Sequence, residues 1–204
     1  MRRIQQRSEE TRAHILESAG ILFARFGYEA SGVAEICKTA GVSKGAFYHH
    51  FPSKHAVFMS LLDIWLAGLD RELGEALQLA GNVPDGLINI AGKVSWIFES
   101  ADKSLPMFLE FWTHAARDPV VWETTVAPYL RYQHLFSEII QRGISENSFK
   151  SADTEKTSKV VLALALGLVL QGVLDRDKEN LSEVAQYGMR LMMDGLKAQT
   201  RDTA

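Results

Sequence analysis

Seven residues within one eleven-residue stretch, Lys44, Gly45, Ala46, Tyr48, His49, His50 and Lys54, combine hydrogen-bond donors with small side chains. Lys44 can donate to guanine O6 and N7 or to a phosphate, and the small residues at 45 and 46 let a backbone come close to base edges. His49 falls on the same face at helical spacing. Tyr48, His50 and Lys54 flank that face as donors to backbone phosphates. The chemistry on offer is recognition of a polyanion with an edge to read, which is duplex DNA.

Other chemistries find less support. His14, His49, His50 and His55 crowd the same region, but adjacent helical residues point about 100° apart, and no cysteine or carboxylate joins them at ligand spacing, so no metal site is expected. There is no nucleophile beside a base, no carboxylate pair in an apolar setting, and no glycine-rich phosphate loop after a strand. Neither a cofactor nor an enzymatic activity is therefore expected. Cys37 is the only cysteine, which excludes an intramolecular disulfide and a cysteine cluster, and its place on an inward helix face suits core packing.

The charge distribution agrees with a local polyanion contact. The chain of 204 residues carries a net charge of −3, yet residues 1 to 55 hold eight Lys or Arg against five Glu, a net of +3, and the remainder a net of −6. Arg2, Arg3 and Arg7 form either an arm onto the same target or a solubilising terminus. No basic leader precedes an apolar stretch, so a cytoplasmic protein is expected. The longest apolar run, Val160 to Leu170, has 11 residues and is too short for a spanning helix, so no membrane partner is expected.

The elements that position these residues read as helices throughout, an all-α fold. Ile15, Leu16, Ala19, Leu22, Phe23 and Phe26 recur at three- and four-residue intervals, one buried face of a helix from Ser8 to Phe26 that Gly27 ends. Ser31 is the expected N-cap of a second helix, Gly32 to Ala40, and Gly41 its stop. Ser43 caps a third from Lys44 to about Phe51, which Pro52 closes, and Ser53 caps a long fourth to about Ala80. Helical periods follow at about 84 to 101, 104 to 117, 119 to 146, 153 to 175 and 180 to 198, with frayed ends at 1 to 7 and 199 to 204. The expected domains are 1–55, a helix-turn-helix head, and 56–204, a helical sensing and dimerisation body. Helix, Ala40-Gly41-Val42-Ser43, helix is the spacing that lets a short helix enter the major groove.

Residues 11 to 58, TRAHILESAGILFARFGYEASGVAEICKTAGVSKGAFYHHFPSKHAVF, resemble the DNA-binding domain of the TetR/AcrR family. The resemblance rests on Ile15, Ala19, Phe23, Gly27, Tyr28, Ser31, Ile36, Ala40-Gly41-Val42-Ser43, Gly45, Tyr48, Phe51 and Lys54, with Cys37 standing where the family usually has Ala. It implies a transcriptional regulator, most simply a repressor, that reads operator DNA through Lys44, Gly45, Ala46 and His49. It implies phosphate contacts from Ser31, Tyr48, His50 and Lys54. It also implies a homodimer, joined through the last two long helices, that spans two half-sites roughly 34 Å apart.

Beyond residue 80 the resemblance weakens and pattern carries the reading. Trp96, Phe111 and Trp112 with the polar groups of His114, Tyr132, Gln133 and Gln171 form the candidate site for a small, mainly apolar or aromatic effector. His114 lies one helical turn after Glu110, as a ligand-polarising pair or as an ordinary half-buried histidine. The stretch VVLALALGLVLQGVL, 160 to 174, is apolar all round, and with Leu181, Val184, Ala185, Gly188, Leu191, Met192 and Leu196 it suggests a four-helix interface between two copies. A small-molecule binding protein or an enzyme with a silent DNA head is the alternative. Lys44, Tyr48 and Lys54 argue for the head that binds.

Overall fold

The computed structural model describes residues 2–101, 119–174 and 181–197. Nine helices lie among them: α1 Arg2–Phe26, α2 Val33–Ala40, α3 Lys44–His50, α4 Lys54–Gln78, α5 Val83–Gly92, α6 Val94–Ala101, α7 Pro119–Ser145, α8 Thr154–Leu174 and α9 Leu181–Leu196. No β-strand occurs among the described residues, only an isolated bridge between Phe149 and Lys197. The all-α expectation holds. The helix expected at 104 to 117 lies outside the described residues.

Two compact units divide the chain, Met1–Gly68 with Ala101–Thr125 and Leu69–Ser100 with Val126–Ala204. In the first, α1 turns Ile15, Leu16, Ala19, Leu22 and Phe23 inward, and these bury with Ile36 and Cys37 of α2, Phe47 of α3, and Val57, Phe58 and Leu62 of α4. Phe23, Tyr28 and Phe58 stack in tilted and edge-on contacts, with centroids 5.3 Å apart for Phe23 and Tyr28 and 5.4 Å for Tyr28 and Phe58. Such pairs add direction to burial, since aromatic edges prefer faces. In the second unit Val94, Leu168 and Ala185 form a core that Ala91, Ile97, Leu164 and Leu181 complete.

Local chemistry sets the helix ends. Gly41 closes α2 with a left-handed φ of 67°, its N–H and that of Val42 donating back to Lys38 and Cys37. Ser43 then starts α3, its Oγ accepting from the Ala46 N–H at 3.1 Å, and Ser53 does the same for α4 through Ala56 at 3.1 Å. These follow the expected punctuation.

Three ends differ. α1 begins at Arg2, not near Ser8, because polar contacts one turn apart, Gln6 to Glu10 and Thr11 to the Arg7 carbonyl, support a segment with no apolar period. α2 is capped by Gly32 without a side-chain bond, and the expected cap Ser31 instead donates its hydroxyl to the Gly27 carbonyl at 2.8 Å. The single helix expected at 84 to 101 breaks at Lys93 into α5 and α6. There Gln186 of α9 approaches Gly92 so closely that a Cβ on that glycine would sit 2.5 Å from its Nε2.

Two substitutions separate turn geometry from packing. A Cβ at Gly41 meets nothing within 4 Å, so Gly41→Ala carries only the left-handed backbone penalty. We expect a loss of about 1 kcal/mol. Phe47 is fully buried, and Phe47→Ala should lose about 3–5 kcal/mol. Urea unfolding of both variants tests the ranking, and equal losses would contradict it.

Candidate nucleic-acid interface

α3 has seven residues, and one side chain holds it to the head. Phe47 is fully buried, and Phe51, which ends the helix, is 2% exposed. With position 47 turned inward, Lys44, Gly45, Tyr48 and His49 are exposed, and Ala46 and His50 are half-buried. Tyr48 is 55% exposed yet braced, its ring edge-on to Phe47 at 5.3 Å. The nearest atom to a Cβ at Gly45 is the Ser43 Oγ at 3.7 Å, so this end of α3 is open to a close neighbour.

The histidines at the other end of α3 touch each other. The rings of His49 and His50 meet edge-on at 5.1 Å. Burial, then His49, then Arg12 hold the His50 imidazole below its usual titration range, since each disfavours a second positive charge there. Among the described residues no three His, Cys, Asp or Glu side chains gather to hold a metal ion.

Two expected DNA-contacting residues have other duties. Ser31 is 2% exposed, and its hydroxyl proton goes to Gly27, closing the turn between α1 and α2. Lys54 donates to the carbonyls of Tyr28 at 2.8 Å and Glu29 at 3.4 Å, and its ammonium lies 4.1 Å from the Tyr28 ring centroid. It is a strut between α4 and that turn, and burial, then the Glu29 carboxylate, push the Tyr28 hydroxyl up to about 12. Sequence reasoning missed Arg12. Its guanidinium lies 5.1 Å from the Phe51 ring and donates to Ser60 at 3.4 Å, tying α1 to the end of α3 and to α4. Nothing in its own neighbourhood signals a partner 48 residues away.

Of the candidate effector residues, Phe111, Trp112 and His114 lie outside the described residues. Trp96 in α6 and Gln133 in α7 are half-buried, and Tyr132 is buried with its hydroxyl donated to Asp70 at 2.8 Å. Gln171 is exposed on α8, beside Leu170 at 48% and not far from Leu174 at 75% exposure. The buried side of α8 carries Ser158, Val161, Leu162, Leu168 and Val169, while Val160, Leu166, Leu170 and Leu174 stay open. On α9, Val184, Tyr187 and Leu191 are open as well. Among the described residues, the run that is apolar all round is thus buried on one side and open on the other. By length and composition α8 could cross a membrane, but a third of its most apolar window is packed inside the protein.

Comparison with known proteins agrees with this geometry. Residues 15–61 match the family described as bacterial regulatory proteins, tetR family, and residues 98–198 match the BetI-type transcriptional repressor C-terminal family. The transcriptional regulator UidR of Escherichia coli is 23% identical over 96% of this chain and 97% of its own. The transcriptional repressor NemR of Escherichia coli is 38% identical over 80 residues, 39% of this chain and 40% of its own. Its reduced-form crystal structure superposes with a TM-score of 0.70 at 26% identity, covering 94% of this chain and 99% of that one. A TetR-family regulator from Cytophaga hutchinsonii gives a TM-score of 0.74 at 21% identity over 95% and 98% of the two chains, a likeness of fold.

The head makes a separable forecast for its two lysines. Lys54→Met should lower stability by about 1–3 kcal/mol, through two missing charge-assisted bonds. Lys44→Ala, at an exposed position, should leave the unfolding midpoint within about 0.5 kcal/mol of wild type. Thermal and urea unfolding compare them, and an unaltered Lys54→Met midpoint would exclude the strut.

Proposed function

With one family match over its head and another over its C-terminal half, the chain belongs to the TetR family of bacterial transcriptional regulators. We propose that it is a homodimeric repressor, acting in the cytoplasm, released from a palindromic operator by a small, mainly apolar or aromatic effector. The observation that carries the reading is the outward face of α3. One buried anchor, Phe47, turns Lys44, Gly45, Tyr48 and His49 to the surface of a head with a net charge of +3.

In this reading Lys44, Gly45, Ala46 and His49 meet base edges in the major groove, and Tyr48 and His50 donate to phosphates. Lys54 and Ser31 support them chiefly by holding the Gly27–Ser31 turn and the start of α4, so their contribution to phosphate binding is indirect. Functionally the chain divides near residue 55, the head ahead of it and the sensing body behind.

Two heads are needed to span a palindrome, and the open face of α8 and α9 supplies the reason for pairing. Val160, Leu166, Leu170, Leu174, Val184, Tyr187 and Leu191 expose a row of apolar side chains on two neighbouring helices. A second copy placing the same face against it would remove both rows from water in an isologous four-helix contact. Trp96, Phe111, Trp112, His114, Tyr132, Gln133 and Gln171 remain the proposed effector residues. Effector binding that favours another placement of α4 would change the spacing of the two α3 helices and lower operator affinity.

Fluorescence anisotropy with DNA from the region upstream of the protein's own gene, across a salt series, tests the head. Specific binding should weaken steeply with salt, and Lys44→Ala should lower affinity tenfold or more while reducing the salt slope by about 1. Tyr48→Ala should weaken it similarly. Binding that ignores both substitutions would point to a head that no longer reads DNA. For the dimer, Leu170→Glu should yield monomers by sedimentation with unchanged helical content. A dimer that survives it would place the interface elsewhere.

A further inference from the structure

The far half of α4 is fastened along both edges of its buried stripe. Leu73 and Ala76 are 7% and 1% exposed and face inward. At 3.6 residues per turn, Asp70 falls on one side of that stripe and Glu72 on the other. Asp70 receives a fork from Arg131 of α7, Nη1 to Oδ2 at 3.0 Å and Nη2 to Oδ1 at 3.2 Å. The Tyr132 hydroxyl donates to the same Oδ1 at 2.8 Å and accepts from Arg131 Nη2 at 3.1 Å, and the guanidinium also lies 4.9 Å from the Tyr132 ring centroid. On the other edge Glu72 takes Lys93 at 2.9 Å, at the break between α5 and α6, and Asn89 of α5 donates to the Ala76 carbonyl at 3.3 Å.

This arrangement is suited to setting orientation. An apolar stripe tolerates rotation of a helix by some degrees, because dispersion and burial are non-directional. A planar fork on a planar carboxylate does not, because both of its bonds must align at once. The Asp70 and Arg131 side chains are 40% and 53% exposed, so the pair adds little to global stability. Their geometry is nevertheless fully made, with three donors converging on one carboxylate. α4 is one unbroken helix from Lys54 to Gln78, so Asp70 belongs to the same element as Lys54, which braces the Tyr28–Glu29 turn.

We infer that Asp70, Arg131 and Tyr132 form an orientation clamp on α4, positioning residues that set operator affinity without touching DNA. The inference rests on the DNA-binding reading above and adds to it the contact through which the sensing body holds that helix.

The test compares Asp70→Ala, Arg131→Ala and Arg131→Lys with the exchange Asp70→Arg/Arg131→Asp, and with Lys156→Ala as an exposed ion-pair control. Operator affinity and the thermal unfolding midpoint are measured on each full-length protein. All three single variants should bind operator at least tenfold more weakly with midpoints within a few degrees of wild type. Arg131→Lys belongs with the weakened variants, because an ammonium cannot form the fork. The exchange should restore affinity to within about threefold, and Lys156→Ala should match wild type throughout. Single variants with unchanged or raised affinity would overturn the clamp, as would deficits that the exchange leaves unrepaired or that track the unfolding midpoint. Wild-type protein that bound no specific DNA would instead sink the function reading.

Discussion

A helix of seven residues does not hold itself together in water, and the head is organised around that fact. Nucleation fixes several residues for one hydrogen bond, so isolated helices below about 12–15 residues are marginal. α3 exists because its surroundings hold it. The left-handed Gly41 delivers the chain, Ser43 satisfies an otherwise orphan N–H, and Phe47 inserts among the residues that α1 and α2 bury. Arg12 lies over Phe51 where the helix ends. Since one face of α3 is occupied with being held, the other face can carry residues suited to a ligand alone.

The same division between holding and reading explains why polar groups of similar type in the head do unlike things. Ser31 and Lys54 donate to backbone carbonyls of the turn between α1 and α2, Gly27 and Tyr28 respectively. Lys44 and Tyr48, by contrast, are exposed on a helix that Ser43 and Phe47 hold in place. In the second unit the contrast recurs between α9, packed against α5, and the strips of α8 and α9 whose apolar side chains are exposed among the described residues. An apolar surface of that kind is a reason for association, and a dimeric DNA reader needs one.

Local features are legible in the residues and non-local ones are not. The stops and starts at Gly41, Ser43 and Ser53 act through atoms within four positions, and so does the period that buries Ile15, Ala19 and Phe23. The helical start of α1 rests on polar contacts such as Gln6 to Glu10, which leave no apolar rhythm to read. Gln186 of a distant helix lies against Gly92 beside the break at Lys93, and the Asp70 fork comes from Arg131, 61 positions away, and no window on the chain connects either pair. Ser31 illustrates a subtler limit: a hydroxyl before a helix can accept from the helix or donate to the preceding turn, and the residue type allows both. Polar groups on apolar helices mark candidate effector residues by type alone, and the residue type says nothing of the partner that Tyr132 finds in Asp70 or of the open face on which Gln171 sits.

The central claim is that two copies of α3, carried by one dimer, read a symmetric DNA sequence. Selecting genomic fragments with the purified protein and sequencing what it retains tests that claim most directly. The account predicts enrichment of an inverted repeat whose half-site centres lie about one helical turn apart, roughly 34 Å. Retained fragments that share no repeat, or a single unrepeated half-site, would contradict it.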